Sequence, residues 1–243
     1  MAIQTRSVRF PSDGIEIDAY VALPEGEGPV PGVVVLQEIF GVNDHIRDIT
    51  ERFAKAGYGA IAPALYQRLA PGFETGYTPD DITIGREYKV KTRASELLSD
   101  IRGAIAYLTD VPSIKSDGVG CIGFCFGGHV AYLAATLPNI TATASFYGAG
   151  IPSWCPGEDQ PTIERTAAIT GTIHCFFGET DASIPLDDVA TIKSALEQHT
   201  IAHQIFMYPN AGHGFFCDRR GSYNAEAARD AWTKVQTLFQ ATL

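Results

Sequence analysis

At 243 residues, 45% of them apolar and 19% charged, the chain is long enough to bury one sizeable core, and a single α/β domain over residues 1–243 is the simplest expectation. A formal net charge of −10 without a basic stripe argues against nucleic acid and against anionic membranes, both of which call for clustered Lys and Arg. No apolar run approaches the length of a membrane span, "MAIQTRSVRFPSDG" lacks the apolar core of a signal peptide, and five irregularly spaced cysteines make no disulfide framework. A cytoplasmic protein acting on a small molecule is the expectation these exclusions leave.

The pattern opens with strands and then alternates helix with strand. "EIDAYVALP" (16–24) alternates in part, as an early antiparallel strand does. "GVVVLQEIFG" (32–41) begins with a β-branched run typical of a strand buried on both faces. "HIRDITERFAKAGY" (45–58) places Ile46, Ile49, Phe53 and Ala56 at helical spacing, with Gly57 suited to its end. A strand follows at 58–65 and a helix at 93–110, where Leu97, Leu98, Ile101, Ile105 and Leu108 share one face. Next come a strand at 118–124, a helix at 128–137 and a strand at 141–148. The chain closes with strands at 172–179 and 203–209 and helices at 187–199 and 224–243. This alternation predicts a mostly parallel central sheet with helices on both faces, and ligands outside the carboxyl ends of its strands.

One junction stands out. "GFCFG" (123–127) has the form G-x-C-x-G, preceded by a predicted strand and followed by a predicted helix. The serine version of this pattern is the nucleophile elbow. Glycines on both sides permit a sharp turn that lifts the central side chain above the sheet edge. The N-terminus of the following helix would then direct its dipole and free N–H groups at Cys125 and favour negative charge there. The N–H of Phe126 would face a developing oxyanion.

A nucleophile of this kind needs a base, and the base needs an orienting acid; along the chain they follow in the order acid, then His. "FFGETDASIP" places Asp181 just past a predicted strand, with Glu179 and Asp187 as rival carboxylates. "YPNAGHGFF" places His213 in a Gly-flanked loop after the last predicted strand. His129, His174, His199 and His203 are the rival histidines, and none of them follows that strand.

Through "QEIFGVNDHIRDITERFAKAGYGAIAPALYQRLAPG" (37–72), "GVGCIGFCFGG" (118–128), "FFGETDASIP" (176–185) and "YPNAGHGFF" (208–216), the sequence resembles the dienelactone hydrolase family of α/β-hydrolases over nearly its whole length. The resemblance implies an α/β-hydrolase fold and a carboxymethylenebutenolidase-like ester or lactone hydrolase of aromatic-degradation type. It implies Cys125 as nucleophile, His213 as base and Asp181 as the acid orienting it. It also implies that Glu38 contacts the resting thiol and takes up its proton when substrate arrives, and that the N–H of Ile39 is the second oxyanion donor. Two arginines hold a substrate carboxylate in such enzymes. Arg86, in "ITIGREYKVK" beside Tyr88, is the first candidate, with Arg68 and Arg93 as rivals. The position four residues after His213 is Cys217 instead of Arg, which leaves Arg219 as the candidate, with Arg220 next to it.

Cys121, Cys155 and Cys175 read as structural. No metal-ligand spacing and no dinucleotide fingerprint stands out, so neither metal nor cofactor is expected. The reaction needs only water as second reactant. A monomer or small homo-oligomer fits. A broad carboxylesterase or thioesterase on small acyl substrates would use the same residues, whereas a non-catalytic lactone binder would not need all three. Tyr66, Tyr77, Tyr88, Tyr147 and Phe215 suggest a planar or apolar pocket, or equally a core.

Overall fold

The computed structural model describes residues 1–26 and 28–243. One eight-stranded sheet runs through it, in the order β1-β2-β4-β3-β5-β6-β7-β8. The strands are β1 (Ile3–Ser12), β2 (Ile15–Pro24), β3 (Val30–Leu36), β4 (Gly59–Pro63), β5 (Ile114–Phe124), β6 (Ile140–Phe146), β7 (Thr172–Gly178) and β8 (His203–Tyr208). From β4 through β8 every neighbouring pair is parallel, while β1 and β2 pair antiparallel with each other and β2 antiparallel with β4. The helices are α1 (Asp44–Lys55), α2 (Pro79–Lys89), α3 (Ala94–Thr109), α4 (Phe126–Ala134), α5 (Leu186–Gln198) and α6 (Ala225–Thr242).

The central strands are apolar on both faces because both are covered. In β3, Val33 and Val35 pack into a core shared with Ile49 and Phe53 of α1 and Val235 and Phe239 of α6. Val34 and Leu36, one residue out of phase, meet Ile101 and Leu108 of α3 and Val130 of α4. The period of two in the strand thus divides its side chains between two helical layers.

Several boundaries differ from the sequence expectation. The run at 32–41 leaves the sheet after Leu36, so Gln37 to Gly41 form a loop at the carboxyl end of β3. That frees the backbone of Glu38 and Ile39 from the ladder. β5 starts four residues earlier than expected, at Ile114. β1 is hard to delimit in the sequence, since only Val8 and Phe10 carry an apolar alternation on this edge strand. It is fixed by a two-residue hairpin in which Asp13 and Gly14 both take positive φ. α2 is hidden in the sequence as well. Its N-terminal signal is strong, with Thr78 and Asp81 forming a reciprocal capping box and Pro79 in the first position. The β-branched run Ile82–Thr83–Ile84 and the interior Gly85 weaken helix propensity and hide it.

Candidate active site

Cys125 is the N-cap of α4 and lies at φ 55°, ψ −114°, a region L-residues rarely occupy. Its N–H donates to the carbonyl of Phe146 at 3.0 Å, which ties the corner to the end of β6. The flanking glycines are required by close approach: a Cβ on Gly123 would lie 1.9 Å from the Gly127 carbonyl oxygen, and one on Gly127 would lie 2.4 Å from the Gln37 and Leu36 oxygens. The helix therefore starts directly against the β3 loop. Phe126 is the first residue of α4, so its N–H has no intrahelical acceptor and is free to bind an oxyanion.

His213 and Asp181 sit on the loops after β8 and β7, in the same layer as the elbow. The Asp181 carboxylate is buried; its Oδ2 lies 2.7 Å from His213 Nδ1, and its Oδ1 accepts the Ser183 N–H at 2.8 Å. Burial opposes the charged form of His213. The charge of Cys125, hydrogen bonds with Asp181 and Cys125, and the charge of Asp181 outweigh burial and push His213 up to about 10. The rivals are placed elsewhere. His129 is buried between the Ala149 carbonyl (2.9 Å) and Thr162 Oγ1 (2.7 Å), and burial pushes it down to about 4. His174 is likewise pushed down to about 4 by burial, His203 bonds the Ile201 carbonyl, and His199 closes α5. Glu179 and Asp187 are exposed.

The loop after β3 carries Glu38 and Ile39. Glu38 is 1% exposed, and its Oε1 accepts from Arg220 Nη1 at 2.8 Å. Its other oxygen, Oε2, is buried with no partner. The resting thiol is not the group that holds this carboxylate; Arg220 is. α2 packs onto the same loop, where a Cβ on Gly85 would stand 2.4 Å from the Ile39 carbonyl oxygen. The hydroxyl of Tyr66 anchors that glycine by donating to its carbonyl at 3.2 Å.

The structure separates the arginine candidates. Arg219 is exposed, with its side chain beside Asp218, while Arg220 turns inward. Arg86 is exposed on α2; one turn on, Lys89 is the α2 cation that feels the charge of Cys125. Burial pulls Lys89 below its usual range and the Cys125 charge partly restores it; its Nζ sits 4.7 Å from the Trp154 ring centre. The rivals also lie elsewhere: Arg68 is locked to buried Asp100 at 2.6 Å and Arg93 precedes α3. Tyr88 is half-buried, edge-on to Phe73 at 4.8 Å and 5.7 Å from Tyr66, whose ring stacks on Phe126. Tyr147 lies edge-on to His213 at 5.2 Å and takes φ 37°. Lys89 is not among the residues the sequence singles out, and Arg220 is named there only beside Arg219. The helical register of α2 would have found Lys89, but nothing in the sequence distinguishes Arg220 from Arg219.

The other cysteines are free and buried. Burial raises Cys121 and Cys155, and pushes Cys175 up to about 12 and Cys217 up to about 11. Cys125 alone is partly exposed. A surface cavity of about 830 Å³ lies against β1 and β2 and is not lined by Cys125, His213 or Asp181.

A strained strand–cysteine–helix corner with a His–Asp pair at the strand carboxyl ends is the architecture of an α/β-hydrolase. Its fold alone is shared with the acylaminoacyl peptidase of Pyrococcus horikoshii (TM-score 0.78, 17% identity, 100% of this chain and 42% of that one). The profile of the dienelactone hydrolase family matches residues 17–243, and the chain belongs to that family. It is 56% identical to a Synechocystis sp. protein named "Putative carboxymethylenebutenolidase", over 99% of this chain and 98% of the other. An Escherichia coli K12 protein of the same name is 34% identical over 98% of this chain and 88% of its own. The crystal structure of a "Putative Dienelactone Hydrolase" from Klebsiella pneumoniae superposes with TM-score 0.90 at 32% identity, covering 99% of each chain. The chain is thus an ester or lactone hydrolase of this family. Among the described residues, no helix is long and apolar enough to cross a membrane.

Proposed function

We propose that this hydrolase opens a small lactone or ester through a thioester on Cys125, with His213 and Asp181 completing the triad within one catalytic domain, residues 1–243. The 2.7 Å His213–Asp181 bond beside the strained Cys125 corner carries the reading. The Cys125 thiolate attacks the carbonyl carbon, and the N–H groups of Phe126 and Ile39 receive the oxyanion. The C–O bond then breaks, with His213 giving its proton to the leaving oxygen. Water attacks the thioester, His213 takes a proton from it, the C–S bond breaks with the sulfur recovering its proton from Glu38, and the acid leaves.

The charge environment suits this order. Once Cys125 has given up its proton, its charge holds the proton on His213, as a general acid requires. Once Cys125 is acylated that charge is gone, and His213 falls back into the range of a base. Glu38 Oε2, the oxygen Arg220 leaves free, is the acceptor for the Cys125 proton when substrate enters. Lys89 is the cation that faces a substrate carboxylate, which favours an anionic lactone over a neutral ester. Five free thiols and an acidic surface fit a cytoplasmic enzyme.

Steady-state hydrolysis of cis-dienelactone beside a neutral aryl ester, with wild type and Cys125→Ala, tests the reading. Dienelactone turnover that the variant lacks supports it. Turnover of the aryl ester alone keeps the triad and shifts the substrate to a broader carboxylesterase. A fully active Cys125→Ala overturns it.

A further inference from the structure

Beside the triad a second set of side chains converges that the reaction uses only in part. Glu38 comes from the loop after β3, His45 from the first turn of α1 and Cys217 from the loop after β8. All three are buried, and each offers a ligating atom within 4.8 Å of the other two. Glu38 Oε2 and His45 Nε2 are both buried with no hydrogen-bond partner. An unpaired buried polar atom costs about 1–3 kcal/mol, so two in one cluster call for an occupant that satisfies both.

The donors identify the occupant's chemistry. One carboxylate, one imidazole and one thiol form a nitrogen–sulfur–oxygen set of the kind zinc accepts in tetrahedral geometry. Calcium and magnesium want six or more oxygens, and this cluster offers a single carboxylate. The surrounding groups resemble an outer shell. Arg220 holds the second oxygen of Glu38, and Tyr77 receives the Cys217 thiol at 3.4 Å while accepting from Asn43 Nδ2 at 3.1 Å. The positive charge of Arg220 disfavours a cation held by oxygen alone, so the thiolate is needed to balance it. Ligand bonds of about 2.0–2.3 Å require the three side chains to rotate inward by a modest amount.

We propose that Glu38, His45 and Cys217 bind one divalent cation of the zinc type, and that occupancy inhibits the hydrolase by holding Glu38. The cation bonds to a Glu38 oxygen, a ring nitrogen of His45 and the Cys217 sulfur. The thiol proton leaves to solvent, and nothing is oxidised or reduced. A further position stays open to water. Inhibition follows because Oε2 can no longer accept the Cys125 proton; this half rests on the proposed hydrolase reading, whereas cation binding does not.

The test is titration of reduced, metal-free protein with Co2+, read by thiolate-to-cobalt absorption in the near ultraviolet, alongside Zn2+ titration of ester hydrolysis. Wild type and Cys125→Ser should each bind one equivalent with a thiolate band. Cys217→Ser should lose the band, and His45→Gln should bind at least about tenfold more weakly. Circular dichroism checks that each variant is folded; if Cys217→Ser is not, His45→Gln decides. No band in wild type, or a band that survives Cys217→Ser and vanishes in Cys125→Ser, overturns the site. Cobalt binding with undiminished hydrolysis overturns the inhibition. A wild type that binds cobalt but hydrolyses no ester or lactone overturns the functional reading and leaves the cation site standing.

Discussion

Arg220 and Glu38 are 182 positions apart in sequence and form a 2.8 Å ion pair in which Glu38 is almost fully buried. The pair joins the loop after β3 to the loop after β8, and so ties the oxyanion side of the site to the histidine side. Removing one partner would strand the other charge in low dielectric. Arg220→Met should therefore destabilise the protein by about 3–5 kcal/mol. Adding Glu38→Gln to that variant should restore most of the loss, because a neutral amide is cheaper to bury than a lone carboxylate. Urea denaturation of the four proteins of the cycle measures this. An Arg220→Met variant as stable as wild type would show that the pair contributes nothing.

His213 should titrate far above an ordinary histidine, near pH 10, and only while Cys125 can carry charge. In Cys125→Ser the leading cause of the upward shift is gone, and burial, which favours the neutral ring, is left opposed by Asp181 alone. The His213 midpoint, followed through its ring carbon-bound protons by NMR, should move down toward or below 6.5. The stability consequence has a definite sign. The folded value lies above the unfolded one, so the contribution is full below pH 6.5 and is lost as pH rises through about 10. Wild type should lose stability across that window, and Cys125→Ser should lose less. Identical midpoints in the two proteins would mean that no thiolate–imidazolium pair forms.

Most of the fold was legible because apolar period and strand length agree in β3 through β8. The elements it hid are those where local preference and tertiary context disagree. β1 is an edge strand with too few apolar residues to alternate clearly, and α2 sets a strong cap against a β-branched, glycine-containing interior. The positions of Cys125, Asp181 and His213 were legible because each lies on a turn at a strand's carboxyl end. The charged lining was not. Arg219 and Arg220 are adjacent, and which one turns inward depends on the path of a loop with no periodicity. Lys89 is hidden with its helix. Nothing in the sequence marks His45, since its ligand-like neighbours come from segments far away along the chain.

Gly85 makes the hidden helix α2 part of the site. Its carbonyl is held by Tyr66, and a methyl group there would press on the Ile39 carbonyl, which stands 2.4 Å from the Cβ position. The oxygen is a backbone atom and the backbone fixes the Cβ, so the strain cannot relax by a rotamer change. Gly85→Ala should displace the Ile39 peptide and with it one of the two proposed oxyanion donors. Loss of one such donor costs about 10²–10³-fold in kcat. The expected result is a kcat drop of at least tenfold with KM little changed. An equal fall in stability and activity, cured by lowering the temperature, would mean that α2 is only structural.

Lys89 provides the test of substrate charge. It stands on α2, partly buried, with its ammonium over Trp154 at 4.7 Å and sensitive to charge on Cys125. A cation held there is costly unless a negative group comes to it, and Cys125 loses its charge once it is acylated. A substrate carboxylate would supply that group throughout the reaction. Lys89→Met keeps the apolar stem against Trp154 and removes only the charge. For an anionic lactone, kcat/KM should fall by about 10–100-fold, the loss of a charge-assisted contact of about 1.5–3 kcal/mol. For a neutral aryl ester it should change less than about threefold. If both substrates fall together, Lys89 acts on Cys125 and not on the substrate. If neither falls, the anion is held elsewhere, and Arg220 is left as the cation beside Cys125 to examine.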